Sequence, residues 1–177
     1  MTTQQIAAAM ERVHSVLSRR PEAGIHDDAP ATAAWQGATR VVVRHANGTA
    51  VPSDMPTELG GTGDLVTPGW LFRAGLASCA TTTIALTAAA HGIELGALEV
   101  RVSSRSDTRG LLGMADERGE PVGAGPSNVM MSVRIAAPGV APERLRALVE
   151  AGCRCSPIPN AVERATPVAL RIDVDAG

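Results

Sequence analysis

The chain has 177 residues, 45% of them hydrophobic, with 16 basic and 18 acidic side chains that leave a net charge of −2. That length suits one domain with a buried core, and the near-neutral balance gives no electrostatic reason to expect nucleic acid or an anionic membrane as a partner. Trp35, Trp70 and Phe72 are the only aromatic residues, a shortage that nearly excludes stacking platforms for bases or flat cofactors.

In chain order, Ile6, Met10, Val13 and Leu17 fall at helical spacing behind Thr2 or Thr3 as a cap, which predicts an amphipathic helix that stops before Pro21. Glu22–Ala31 reads as a linker, so residues 1–34 form an N-terminal helix and linker ahead of a domain spanning 35–177. Ala33–His45 carries the β-rich run Arg40-Val41-Val42-Val43, and Asn47-Gly48 supplies a hairpin turn. Pro52–Thr67 reads as loop. Pro68, at a position where a missing N–H costs nothing, opens a long helix that runs to about His91 and stops at Gly92. Its faces are apolar or small nearly all round, which predicts a buried helix, and Arg73 with several Thr argues against a membrane span. Leu98, Val100 and Val102 alternate with polar residues as a strand, Asp107–Pro126 reads as an irregular excursion, and Val129, Met131, Val133 and Ile135 form another strand. Pro142 starts a second helix ending near Gly152, and Val168, Leu170, Ile172 and Val174 alternate as a closing strand. Strands and helices come in blocks, so the expected class is α+β with antiparallel sheet.

The chemistry-bearing residues are few. There is no CxxC, HExxH or GxSxG, His14, His26, His45 and His91 are scattered, and the glycines near Gly61 lack the lysine of a phosphate loop. No metal and no cofactor is expected. Three cysteines are too few for a secreted disulfide scaffold, and the N-terminus lacks the basic-then-apolar order of a secretory signal. The expected location is therefore the cytoplasm, where thiols stay reduced. Cys79 lies midway along the long helix and reads either as a small core residue or as a nucleophile, the latter needing a cation or dipole nearby. Arg73 lies far round the helix from it, while Arg40 or Arg44 could approach only through tertiary folding. Cys153 continues the apolar face of Leu145 and Val149, which predicts core packing. Cys155 falls just past the helix end beside Arg154.

The run Thr67-Pro68-Gly69-Trp70-Leu71-Phe72-Arg73-Ala74-Gly75-Leu76-Ala77-Ser78-Cys79 resembles the Pro-led helix with a reactive Cys of the OsmC/Ohr family. The passage Ala89-Ala90-His91-Gly92-Ile93-Glu94-Leu95 and the later Cys155-Ser156-Pro157-Ile158-Pro159-Asn160-Ala161-Val162 resemble the same family, and the similarity spans about Trp35 to Val174. The resemblance implies an intertwined homodimer in which antiparallel sheets from both subunits wrap around long central helices. It also implies thiol-dependent reduction of organic hydroperoxides: Cys79 as the attacking thiolate, Arg40 stabilising it, Cys155 as the resolving thiol, and a dithiol as reductant. Two positions depart from the family pattern. Gly69 stands where family peroxidases carry a Glu, with Glu58 the nearest acidic substitute. Aligning on Ser-Pro instead of Cys-Pro places Ser156, not Cys155, at the resolving position. A binding or stress-related protein without peroxidase chemistry is the alternative reading.

Overall fold

The computed structural model describes residues 2–174. Helix α1 (Thr3–Arg19) begins with a reciprocal cap: the Thr2 hydroxyl accepts from the Gln5 backbone N–H, and the Gln5 side chain accepts from the Thr2 N–H. It ends before Pro21, which turns the chain into a single 3-10 turn over Pro21–Gly24. Strands β1 (Thr32–Gly37), β2 (Arg40–Arg44) and β3 (Ala50–Ser53) form an antiparallel meander. The Asn47-Gly48 hairpin lies between β2 and β3, with Gly48 in the left-handed region at φ 91°. β3 takes Pro52 and Ser53 out of the expected loop and pairs them with Val42 and Val41.

Helix α2 (Pro68–Ala90) is capped by the Thr67 hydroxyl, which accepts from the Trp70 N–H at 3.2 Å. It ends where Gly92, at φ 63°, can leave the helix. Strands β4 (Ala97–Arg105) and β5 (Ser127–Ala136) pair antiparallel, and the excursion between them holds one short helix, α3 (Thr108–Leu111). Helix α4 (Pro142–Arg154) runs past Gly152, and Pro157–Glu163 forms a further helix, α5, which the sequence reading did not anticipate.

The core lies between α2, α4 and the β4–β5 pair, where Ile84, Ala88, Ile93 and Leu148 are packed by Leu98, Val100, Val133 and Ile135. α4 lies close on α2 at Gly152, where an added Cβ would lie 2.7 Å from the Ile84 Cα.

Two expectations are corrected. α2 is not buried on every side: Leu76, Ala80, Ile84, Ala88 and Ala89 form one buried stripe, and the remainder is half-buried or exposed. A single chain supplies α1, α4, α5 and β4 as neighbours of α2, and these cover only part of its circumference. The closing segment is not a strand. Val168, Leu170, Ile172 and Val174 lie in irregular backbone, and Ile172, the least exposed of them, is still 73% exposed. Alternation makes a segment competent for a sheet, but a strand forms only where a neighbour takes its N–H and C=O groups.

Candidate thiol site

Cys79 is half-buried on α2, one helical turn after Gly75 and one before Thr83. Its Sγ accepts two hydrogen bonds, from the Ser156 hydroxyl at 3.2 Å and from the Ile158 backbone N–H at 3.4 Å. Both donors come from the start of α5. Pro157 fixes the first helical position, Ser156 stands as the preceding cap, and Ile158 has an N–H with no partner within its own helix. Ile158 also lies against Gly75, one turn before Cys79, its Cδ1 3.8 Å from the Cβ position of that glycine. Ser156 is fully buried. Two donors thus converge on one sulfur.

The other two thiols lie elsewhere. Cys155 caps the end of α4 and is exposed, so the neighbouring residue Ser156, not Cys155, meets the Cys79 sulfur. Cys153 packs against the core beside Leu148 and Val133. Burial, helped by the nearby charge of Glu163, pushes its thiol up from the ordinary cysteine range. All three cysteines are free.

Arg40 is held at the start of β2 by acids that the sequence reading missed. Its Nη2 donates to both oxygens of Asp64 at 2.8 and 2.9 Å and to the Thr62 hydroxyl at 2.8 Å, and its Nε lies 3.4 Å from Asp54. Asp54 is buried and accepts from the hydroxyls of Thr39 at 2.5 Å and Thr62 at 2.8 Å, and from the backbone N–H groups of Met55 and Thr62. The Thr39 hydrogen bond and then those from Thr62 hold its carboxyl far below the usual aspartate range. Asp64 is lowered as well, first by Thr62 and then by Arg40. Glu58 lies in a separate 3-10 turn and is not among the acids that hold Arg40. The available signal was the pair of aspartates flanking the glycine-rich loop. No contact joins Arg40 to Cys79 within the chain, because the β1–β3 meander makes at most marginal contact with α2.

At Gly69 the side chain of Arg73 takes the open space. Its Nη1 lies 3.7 Å from the Cβ position of Gly69 and donates to the Ser104 hydroxyl on β4 at 3.3 Å. The first turn of α2 thus carries a cation at the place where the resemblance led one to expect an anion.

The site is thus a half-buried cysteine on a long helix whose sulfur accepts from the start of a neighbouring helix, within an α+β fold. Residues 61–171 match the family model described as OsmC-like protein, and the chain belongs to that family. No curated protein sequence matches it. Among solved structures it is similar to an OsmC-like protein from Mycoplasma pneumoniae, with a TM-score of 0.64 and 17% identity over 78% of this chain and 89% of that one. It is also similar to an organic hydroperoxide resistance protein from Elizabethkingia anophelis, with a TM-score of 0.56 and 24% identity over 78% of this chain and 89% of that one. A third similar structure is an organic hydroperoxide resistance protein from Legionella pneumophila, with a TM-score of 0.52 and 24% identity over 78% and 90% of the two chains. These likenesses agree with the α+β architecture expected from the sequence.

Proposed function

We propose that the protein reduces organic hydroperoxides through Cys79. The carrying observation is the pair of hydrogen bonds that Ser156 and Ile158 donate to the Cys79 sulfur, since a thiolate is the form that attacks a peroxide. Family membership and the hydroperoxide resistance proteins among its structural relatives support the same reading. Ile158, beside the sulfur, and the apolar run of α2 around Cys79 favour an organic substituent on the peroxide over hydrogen peroxide. The working unit is a homodimer in which the β1–β3 meander of one copy lies on α2 of the other and carries Arg40 toward the partner subunit's Cys79.

One observation favours a second reading, a protein that binds peroxide-like ligands without turning them over. Gly69 offers no carboxylate, and Arg40 is already paired with Asp54 and Asp64. Adding an organic hydroperoxide to the reduced protein separates the two. Peroxidase chemistry predicts loss of one thiol at Cys79 for each peroxide consumed, abolished in Cys79→Ser and nearly intact in Cys153→Ser. Peroxide left unconsumed by the reduced wild type would leave the binding reading standing.

A further inference from the structure

We infer that Ser156 is a catalytic hydrogen-bond donor to Cys79, and that the oxidised Cys79 is returned to the thiol by a thiol from outside the chain, with no resolving cysteine of its own. The inference rests on the peroxidase reading for its first step, yet its geometry stands apart from it. α4 ends at Arg154, and the three residues that follow project in different directions: Cys155 outward as the exposed cap, Ser156 inward to full burial, and Pro157 into the first turn of α5. The inward residue is the one whose side chain donates to the sulfur, and it is a hydroxyl, which cannot form a disulfide. Cys153 is committed to the core, on the face of α4 that also carries Leu148 and Val149. The places beside the Cys79 sulfur that this segment reaches are therefore held by Ser156 and Ile158, and by neither remaining thiol.

Each step balances without another oxidant or reductant than the peroxide and the outside thiol. The Cys79 thiolate attacks the distal oxygen of the hydroperoxide; an S–O bond forms, the O–O bond breaks, and the departing alkoxide takes a proton to become the alcohol. Cys79 has lost two electrons and is a sulfenic acid. The outside thiolate attacks that sulfur, an S–S bond forms, and hydroxide leaves as water on taking a proton. A second outside thiolate attacks the mixed disulfide, releasing the Cys79 thiolate and an external disulfide. Ser156 and Ile158 hold the sulfur's charge at the start and again at the end of this cycle. The exposed Cys155 plays no part in it.

The test needs no peroxide, so its failure and that of the peroxidase reading are distinguishable. The reduced full-length protein is treated with oxidised glutathione, and its cysteine linkages are mapped by mass spectrometry. The expected product is a glutathione adduct that persists on Cys79, and Ser156→Cys should instead expel the glutathione and close a Cys79-to-156 disulfide. In parallel, Ser156→Ala should slow alkylation of Cys79 at neutral pH about tenfold, the size expected of one hydrogen bond to a charged group, and Ser156→Thr should recover most of the rate. A Cys79–Cys155 disulfide in the wild type overturns the outside-thiol route. An unchanged alkylation rate in a folded Ser156→Ala overturns the donor role.

Discussion

Asp54 is a carboxylate removed from water, and it stays ionised there because Thr39, Met55 and Thr62 donate to it while Arg40 lies alongside. Its folded-state affinity for a proton is depressed, so the stability it contributes is present above the ordinary aspartate range. That contribution is lost as the pH falls through and below that range, when protonation must break the network. Asp64 is shifted in the same direction. The wild type should therefore lose thermal stability steeply on acidification, measured as melting temperature against pH. Asp54→Asn should start lower at neutral pH and show a flatter acid limb; a parallel limb would show that Asp54 is not the group responsible. At this scale the sequence was legible in part. Cys79 stands out because its surrounding run is specific, but the choice between Cys155 and Ser156 depends on where α4 stops. A helix turns each successive residue by about 100°, so ending two residues beyond Gly152 exchanges which side chain faces inward.

At the scale of elements, the position of α5 over Cys79 depends on how closely α4 can lie on α2. Gly152 sets that distance, since the backbone of Ile84 occupies the place of a Cβ. Gly152→Ala must push the helices apart or distort one of them, and overpacking of this kind costs about 1–3 kcal/mol. Urea unfolding should show that loss, and the alkylation rate of Cys79 should change with it, because the donors at Ser156 and Ile158 ride on the end of α4. Loss of stability with an unchanged Cys79 rate would uncouple the helix contact from the site. Helices α2 and α4 were legible from their Pro starts and apolar spacing, and β4 and β5 from their alternation. α5 was not, because two prolines so close together argue against a helix; Pro157 and Pro159 both fall within its first turn, where a missing N–H breaks no helical hydrogen bond. The expected strand at Val168–Val174 failed for the opposite reason: its local pattern was right, but no sheet edge receives it.

At the scale of the molecule, the single chain leaves too much apolar surface without a neighbour. The register of the first sheet puts Trp35, Val41, Val43 and Val51 on one face, with Trp35 71% exposed, and that sheet packs only marginally on the rest of the chain. A three-stranded meander is stable when its apolar face is covered, and α2 also has a side that the single chain leaves open. If two copies exchange these faces and Arg40, from the start of β2, reaches round to the partner subunit's Cys79, a complementation experiment reads the exchange directly. Cys79→Ser and Arg40→Ala should each be poorly active alone. After unfolding and refolding as an equal mixture, half the dimers carry both variants, and each such dimer holds one site with an intact cysteine and an intact arginine. Exchange predicts recovery of about a quarter of the wild-type sites on symmetric, random pairing. Service within one chain predicts none, since no chain in the mixture carries both residues. Light scattering of the same sample fixes the stoichiometry, and a species of 18.2 kDa alone, one chain's mass, would remove the dimer and the exchange together.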